Sequence, residues 1–235
     1  MRVVDCNWLQ LEEYLEHDDR IVLPLGSVEQ HGYLSLGVDM ILSERVAVEA
    51  AGPLGVPVLP ALPYGLTPYF AAYPGSPTLQ VATYQAVIRD LLDSLAGQGF
   101  RRFLLVNGHG GNEAGREPAE AWQAASAEVE FIWHNWWNGA KTWAVVQSID
   151  PDASHASWLE NVPWTRLEGV TQPAERKPMA DVSKLRETEP AKLRQELGDG
   201  SFGGLYQRSD EDVLRVWQSG VEEVRELLAD GWRSA

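Results

Sequence analysis

Two short polar segments each follow an apolar run, and their side chains are typical metal ligands. Glu29 and His31 come directly after one run, with Asp39 a little further on, and His109 follows another. Carboxylate and imidazole groups with no cysteine nearby suit zinc, manganese or iron(II). An α/β protein places such side chains on loops at the carboxyl ends of buried strands. The pattern therefore indicates a metal site on these loops.

The same four side chains could hold two metal ions. Asp39 can bridge two ions through its two carboxylate oxygens, and the ions of such pairs lie about 3.5–4 Å apart. A binuclear centre of this kind needs at least one more ligand. The only cysteine is Cys6, so a structural zinc site built on thiolates is not expected.

Each of these residues also has a purely structural interpretation. A buried Glu or His is commonly a hydrogen-bonded core residue, and Asp39 would be a favourable N-cap for the helix that follows it. The combination favours the metal site, because two of the five histidines lie in glycine-bearing loops after apolar runs.

The composition limits the class of protein. A chain of 235 residues with 44% apolar content can form one sizeable core, and we expect one domain over residues 1–235. The net charge of −15 argues against a nucleic acid or an anionic membrane as partner, because either would need a basic face. A small-molecule substrate or a metal cation fits that charge better.

The sequence also bears on the compartment. A single cysteine agrees with a reducing environment. Residues 1–6 contain no apolar signal-peptide core, and no stretch approaches the ~20 apolar residues of a membrane span. We therefore expect a cytoplasmic protein.

Apolar strand-like runs alternate with amphipathic helical patterns along the chain. The predicted strands are residues 21–25, 56–62, 100–106 and 130–137, and the predicted helices are residues 8–20, 40–51, 83–97, 113–127 and 209–232. Residues 165–200 are predicted to be loops and turns. The alternation predicts an α/β fold, a single-domain three-layer α/β/α sandwich with a mostly parallel central sheet. Neighbouring parallel strands would bring ligands some eighty residues apart into one crevice.

Two further features could shape a substrate pocket. Residues 63–77 are too rich in Pro, Gly and aromatic residues for regular structure, and loops of this length are usually functional. The chain has ten tryptophans, several of them between residues 133 and 164. They could form an aromatic wall for a flat substrate, or they could pack the core and a subunit interface.

Taken together, these segments resemble the creatininase (creatinine amidohydrolase) family. The resemblance runs from about residue 20 to residue 161, and it is carried by residues 25–32, Asp39, residues 60–65, residues 107–112 and residues 155–160. A weaker similarity covers residues 198–204. The resemblance implies a binuclear metal hydrolase with a three-layer fold, assembled as a homo-oligomer, a trimer or hexamer.

The resemblance also implies roles for individual residues. Glu29, His31, Asp39 and His109 match the family's metal ligands, with Asp39 bridging. Glu160 matches a glutamate that ligates metal or handles protons. The implied cofactors are two divalent metal ions per chain, which could be Zn, Mn or Fe(II).

The chain departs from the family pattern at two places. Family members commonly carry a second histidine shortly after the first segment, where this chain has Tyr-Leu-Ser-Leu at residues 33–36. Creatininase itself has a glutamate ligand two residues after the histidine of its Asn-Gly-His segment, where this chain has Gly111. We expect Glu160 to be the fifth ligand, with Glu113 as the alternative. Both departures argue against creatinine itself as the substrate.

The expected reaction is hydrolysis of a small cyclic substrate at an amide C–N bond, in which hydroxide held by the metals attacks the carbonyl. His155 would act as the proton carrier, although a histidine at the start of a helix could simply bond a neighbouring loop. One alternative is ring opening of a cyclic polyol ketone such as 3-dehydro-scyllo-inosose, and another is formamide deformylation. Outside the hydrolases, a metal-dependent isomerase or lyase and a non-catalytic small-ligand-binding module remain open.

Overall fold

Three parallel strands form the centre of the computed structural model, which describes residues 1–233 apart from the side chains of residues 184–186. The strands lie side by side in the order β1, β2, β3, and their bounds are Arg20–Leu25, Arg102–Asn107 and Glu130–Asn135. The register pairs Leu25 with Asn107 and Asn107 with Asn135. The carboxyl ends are therefore level, and the loops that follow the strands start from the same edge.

Helices cover both faces of this sheet. In chain order they are α1 (Trp8–Leu15), α2 (Val38–Ala51), α3 (Val81–Gly97), α4 (Arg116–Ala124), α5 (Ala140–Ile149), α6 (Pro190–Leu197) and α7 (Asp210–Asp230). Helices α2, α5 and α7 pack together on one face, and α3 and α4 lie on the other. The predicted α/β sandwich is confirmed.

The strands alternate between two hydrophobic cores. Val22 and Leu104 pack against α2 and α7, whereas Ile21, Leu23 and Leu105 pack against α3. Successive side chains of a strand point to opposite faces. Because both faces of β1 and β2 are buried, these two strands are nearly continuous apolar runs, as is typical of parallel sheets.

Local signals fix the ends of two helices. Asn7 and Gln10 form a reciprocal capping box at the start of α1. The side chain of Ser209 accepts a hydrogen bond from the Asp212 backbone N–H at the start of α7, whose first turn carries three acidic residues. These carboxylates interact favourably with the positive end of the helix dipole.

The prediction of a regular strand over residues 56–62 is wrong. This segment is extended, but it makes only isolated bridges, from Val58 to Arg2 and Val22 and from Leu62 to Leu25. Pro57 and Pro60 have no N–H to donate to a ladder. The N–H of Ala61 donates to the Glu44 carboxylate instead of a strand.

Other predictions differ from the structure as well. The helix predicted over residues 8–20 ends at Leu15, and α5 was not among the predicted helices. Residues 165–200 are not all loop, because they contain α6, whose Leu193 and Leu197 pack against Phe70 and Tyr73. The helix predicted over residues 113–127 begins only at Arg116, after a 3-10 turn over Gly110–Gly115. Within residues 1–233, no helix combines the length and the apolar character needed to cross a membrane.

Candidate metal centre

Three chain segments meet at the carboxyl edge of the sheet. Glu29 and His31 lie on the loop after β1, His109 lies on the loop after β2, and Asp39 lies in the first turn of α2. Glycines allow these segments to touch. A Cβ atom at position 26 would lie 2.4 Å from the Cα of Met40, and one at position 108 would lie 2.4 Å from the backbone oxygen of Asp39.

Asp39 lies between two histidines and presents a different oxygen to each. The Nδ1 atom of His109 is 3.1 Å from Oδ2 of Asp39 and 3.2 Å from Oε1 of Glu29. The Nε2 atom of His31 is 3.0 Å from Oδ1 of Asp39 and 3.9 Å from Oε1 of Glu160. This arrangement gives two adjacent ligand groups that share one carboxylate.

The backbone sets which nitrogen of each imidazole faces the carboxylates. Nε2 of His109 lies 2.8 Å from the backbone oxygen of Leu66, and Nδ1 of His31 lies 3.2 Å from that of Glu29. A carbonyl accepts an N–H, so the other nitrogen of each ring faces the carboxylates. Histidines that bind metals in proteins are oriented in the same way.

The cluster also contains buried polar atoms without hydrogen bonds. Oε2 of Glu29 has no hydrogen-bond partner, and Nε2 of His31 makes no hydrogen bond of good geometry although Oδ1 of Asp39 lies 3.0 Å away. An unpaired buried group such as Oε2 of Glu29 costs about 1–3 kcal/mol. Candidate ligand atoms within 4.8 Å of one another form three groups: Glu29, Asp39 and His109; His31, Asp39 and Glu160; and Glu29, His31 and His155. Divalent cations would satisfy these atoms, so the residues fit a metal centre.

The charges of the cluster are strongly interdependent. Burial disfavours the charged form of His31, but Asp39 and Glu160 outweigh it and raise its pKa to about 10. Burial, reinforced by the charge of Asp39, raises the pKa of Glu160 to about 7. Burial also opposes ionisation of Asp39, but the two neighbouring histidines hold its pKa far below the usual range. Cations entering the cluster would have to displace protons, as is usual for metal sites.

His155 and Glu160 reach the cluster on one short turn. The backbone N–H of Ala156 donates to Oε2 of Glu160 at 2.7 Å, which leaves Oε1 facing His31. Ala156 has a φ of 56°, a left-handed conformation that is uncommon for a residue other than glycine. A 3-10 turn over Trp158–Glu160 then completes the segment, where a helix start was an open possibility.

His155 lies between two aromatic rings. Phe70 stacks on its imidazole with centroids 4.7 Å apart, and the Phe202 ring is 4.9 Å away. Burial and the positive charge of His31 lower the pKa of His155 well below its ordinary value. Its Nδ1 atom is 3.7 Å from Oε1 of Glu29.

His31 and His109 each have a backbone oxygen beside one ring nitrogen, whereas His155 has both an acceptor and a donor beside the same nitrogen. Its Nε2 atom is 3.0 Å from the backbone oxygen of Gln30, an acceptor, and 2.8 Å from the side-chain nitrogen of Gln30, a donor. Either tautomer therefore finds a partner. A histidine that tolerates both tautomers suits proton transfer.

The two alternatives for the fifth ligand are placed differently. Glu160 lies beside His31, as described, whereas the Glu113 carboxylate accepts hydrogen bonds from Asn135 and Trp133 and belongs to none of the ligand groups found among the described residues. A side chain at position 111 would not fit, because its Cβ would lie 1.9 Å from the backbone oxygen of Leu66.

Several residues that support the site were not predicted. The side-chain amide of Asn112 donates to the backbone oxygen of Gly26 at 3.0 Å and to Oδ1 of Asn107 at 3.1 Å. Asn107 also bonds the backbone of His109. Ser27 donates to Oδ2 of Asp39 at 2.8 Å. In a sequence, Asn and Ser in a glycine-rich loop usually indicate a turn. The one signal that these residues support a site is that they follow the end of an apolar strand.

A cavity of about 1110 Å³ opens onto the cluster. The loop of residues 63–77 contributes Tyr69 and Phe70 to its wall, and Trp137 and Trp143 lie on the wall as well. Other tryptophans, Trp136, Trp158 and Trp217, are buried in the core. Some tryptophans therefore line the cavity and others pack the core.

The chain is similar in sequence to a known protein family and to two characterised enzymes. The family model described as "Creatininase: Creatinine amidohydrolase" matches residues 4–228. Creatinine amidohydrolase of Pseudomonas putida is 29% identical over 163 residues, which are 64% of this chain and 63% of that protein. The 3-dehydro-scyllo-inosose hydrolase of Thermotoga maritima is 36% identical over 105 residues, 43% of this chain and 33% of that protein. The matched regions thus span less than two thirds of these relatives.

Solved structures share the whole fold. A crystal structure of creatinine amidohydrolase (creatininase) has a TM-score of 0.79 and 24% identity, covering 100% of this chain and 98% of that chain. A structure described as "Creatininase Mn" has a TM-score of 0.79 and 23% identity, covering 99% of both chains. A mutant creatininase of Zn-Zn type has a TM-score of 0.77 and 22% identity, covering 99% of this chain and 98% of that one.

Proposed function

The chain belongs to the creatininase family, and on this basis we propose that it is a binuclear metal-dependent hydrolase acting on an amide C–N bond of a small cyclic substrate. One observation carries the proposal: Asp39 presents one oxygen to His31 and the other to His109, and each histidine has a further carboxylate nearby. The creatininase structures described as Mn and as Zn-Zn type support the presence of divalent metal.

Two overlapping sets of residues would hold the ions. Glu29, Asp39 and His109 form the first set, and His31, Asp39 and Glu160 form the second. When bound, divalent ions of this kind supply a water of lowered pKa and polarise a carbonyl oxygen. Manganese, zinc and iron(II) all accept these oxygen and nitrogen donors.

The protein's own groups hold this arrangement in place. The carbonyls of Leu66 and Glu29 orient the two imidazoles. Ser27 donates to Asp39, and the Ala156 N–H donates to Glu160, so each carboxylate is held by a further hydrogen bond. Such preorganisation means that little reorganisation is needed when charge develops on a substrate carbonyl.

His155 is proposed to move the proton. Its neutral form is favoured, and its Nδ1 atom faces Glu29 at the inner end of the cavity. From there Nδ1 can accept a proton from the attacking water and return it to the leaving nitrogen. The rings of Phe70 and Phe202 shield the imidazole from solvent.

Ring opening of a cyclic polyol ketone is the second candidate. The 36% identity to the Thermotoga maritima 3-dehydro-scyllo-inosose hydrolase supports it, and the same groups could act on an activated ketone. A formamide deformylase is a further possibility within the family. Incorporation of oxygen-18 from water into the product would separate any of these hydrolases from a metal-dependent isomerase.

The first test is the metal content per chain. Protein purified without chelator should carry about two divalent ions, as a site with a bridging carboxylate predicts, and His109→Ala should carry fewer. His17→Ala is the matched control, because His17 is exposed on the surface and should leave the metal content unchanged. A wild-type chain without metal, whose activity is not restored by manganese or zinc, would contradict the proposal and favour a non-catalytic ligand-binding module.

A further inference from the structure

Glu113 lies on the wall of the cavity but outside the metal cluster. Of the described residues that line the cavity, it is the one charged side chain that does not belong to the cluster or to its proton carrier. Its nearest arginine in sequence, Arg116, is occupied with Glu120 at 2.9 Å. The Glu113 carboxylate is exposed, so it remains available to a molecule that enters the cavity.

The two oxygens of Glu113 have different environments. Oε1 accepts hydrogen bonds from Nδ2 of Asn135 at 2.6 Å and from Nε1 of Trp133 at 3.2 Å. No donor among the described residues reaches Oε2. The first oxygen anchors the side chain, and the second is left as an acceptor.

The anchor connects Glu113 to the metal cluster. Oδ1 of Asn135 accepts a hydrogen bond from Nδ2 of Asn107 at 2.9 Å, and the same Nδ2 donates to the backbone oxygen of His109 at 2.8 Å. Side-chain amides at the ends of β2 and β3 therefore hold Glu113 at a set distance from His109. One substrate molecule could therefore contact Glu113 and the metal cluster at the same time.

The rest of the wall fits the same kind of ligand. None of the described side chains that line the cavity is an Arg or a Lys, so nothing there would pair with a carboxylate or phosphate group. The rings of Trp137 and Trp143 lie on the wall, and indole faces attract cations as well as flat apolar groups.

We infer that Oε2 of Glu113 determines substrate specificity by accepting a hydrogen bond from an ammonium or hydroxyl group, so that the substrate is a small ring with a donor substituent and no acidic group. The inference rests on the proposed function in one respect, which is that the reacting carbonyl of the substrate lies at the metal cluster. The binding preference itself depends on Glu113 and its anchors.

The substitution Glu113→Gln should invert this preference. Asn135 and Trp133 both donate to the position that Oε1 of Glu113 occupies. The carbonyl oxygen of a glutamine would therefore take that position, because its NH2 group cannot accept these hydrogen bonds. The amide NH2 would then face the cavity, and an acceptor would be replaced by a donor. Glu113→Ala would instead remove the acceptor without adding a donor.

The test measures dissociation constants by calorimetry for four five-membered lactams on the metal-loaded protein. The probes are pyrrolidin-2-one and its 5-aminomethyl, 5-hydroxymethyl and 5-carboxylate derivatives. The proteins are the wild type, Glu113→Gln, Glu113→Ala and the control Glu117→Gln, which changes an exposed glutamate at the start of α4 that does not line the cavity.

The wild type and Glu117→Gln should bind the aminomethyl lactam at least about tenfold more tightly than the carboxylate, as one hydrogen bond to a charged group predicts. Glu113→Gln should reduce that ratio at least about tenfold, and by more than Glu113→Ala does. If the wild type shows no preference for a donor, or if Gln has no larger effect than Ala, the inference is wrong.

Measuring the dissociation constants at several salt concentrations distinguishes an ammonium donor from a hydroxyl donor. A preference for aminomethyl over hydroxymethyl that weakens with salt identifies a cationic substrate group, whereas equal and salt-independent binding identifies a hydroxyl group. Hydrolysis of the same lactams is followed in parallel. An inverted preference without metal-dependent hydrolysis would refute the proposed reaction alone, and hydrolysis with an unchanged preference would refute the role of Glu113 alone.

Discussion

At the scale of single residues, three histidines near one another have different surroundings. The carbonyls of Leu66 and Glu29 orient the rings of His109 and His31, and a fixed ring orientation suits a ligand. His155 meets both a donor and an acceptor at Nε2, which suits a group that gains and loses a proton. Residue type alone does not distinguish these roles.

Replacement of His155 tests this distinction. His155→Ala should lower turnover by about 10²–10⁴-fold, the usual contribution of general acid–base catalysis, while the metal content stays at the wild-type value. Turnover and metal per chain are measured on the same preparation. Loss of metal would instead identify His155 as a ligand, a role that its position near Glu29 and His31 would allow.

At the scale of elements, the turn that carries His155 and Glu160 follows α5 directly and is tethered at its start. Asp150, the residue after α5, is buried and pairs with Arg176 at 2.6 Å and with Arg208 at 3.3 Å. Its carboxylate also accepts the backbone N–H of Asp152. Burial opposes the charge, but Arg176 and this N–H outweigh it and hold the pKa of Asp150 below its ordinary value.

Asp150→Asn should therefore destabilise the protein in a pH-dependent way. A lowered pKa stabilises the fold above the unfolded value, near 3.9, and this contribution is lost as the pH falls through the lower folded value. We expect a loss of about 1–3 kcal/mol at pH 7 that shrinks below pH 4, measured by urea unfolding across this range. Asp152→Asn is the control, because Asp152 is half exposed and should have a smaller effect. A loss independent of pH would contradict the ionic explanation.

At the scale of the whole molecule, the candidate centre joins parts of the chain that are far apart in sequence. The loops after β1 and β2, the first turn of α2 and the turn at residues 155–160 all supply side chains to it. Ions bound there would connect these segments in the folded state only. The trimer or hexamer implied by the family resemblance remains a proposal, which light scattering would test.

Chelation should then lower thermal stability. A ligand at about 1,000 times its dissociation constant stabilises the folded state by about 4 kcal/mol, so removing the metal should lower the Tm by roughly 8–16 °C for a chain of this size. Manganese or zinc should restore the original value. His109→Ala should show a smaller response in the same calorimetric scans. An unchanged Tm after complete removal of metal would show that the cluster is stable without cations.

The sequence by itself determined the fold class and the residue types of the candidate ligands. Strand and helix periods are local properties, and the apolar runs before Glu29 and His109 place both residues at strand ends. The same local reasoning failed over residues 56–62, where prolines prevent regular pairing, and over α6, whose short apolar stripe depends on contacts with Phe70 and Tyr73.

Only the tertiary structure decided which distant atoms meet. It placed Glu160 beside His31 and Glu113 on the cavity wall, and it showed that the Leu66 carbonyl leaves no room for a side chain at position 111. It also divided the tryptophans between core and cavity. These outcomes depend on distances and directions between segments far apart in sequence, and no local period or residue preference encodes them.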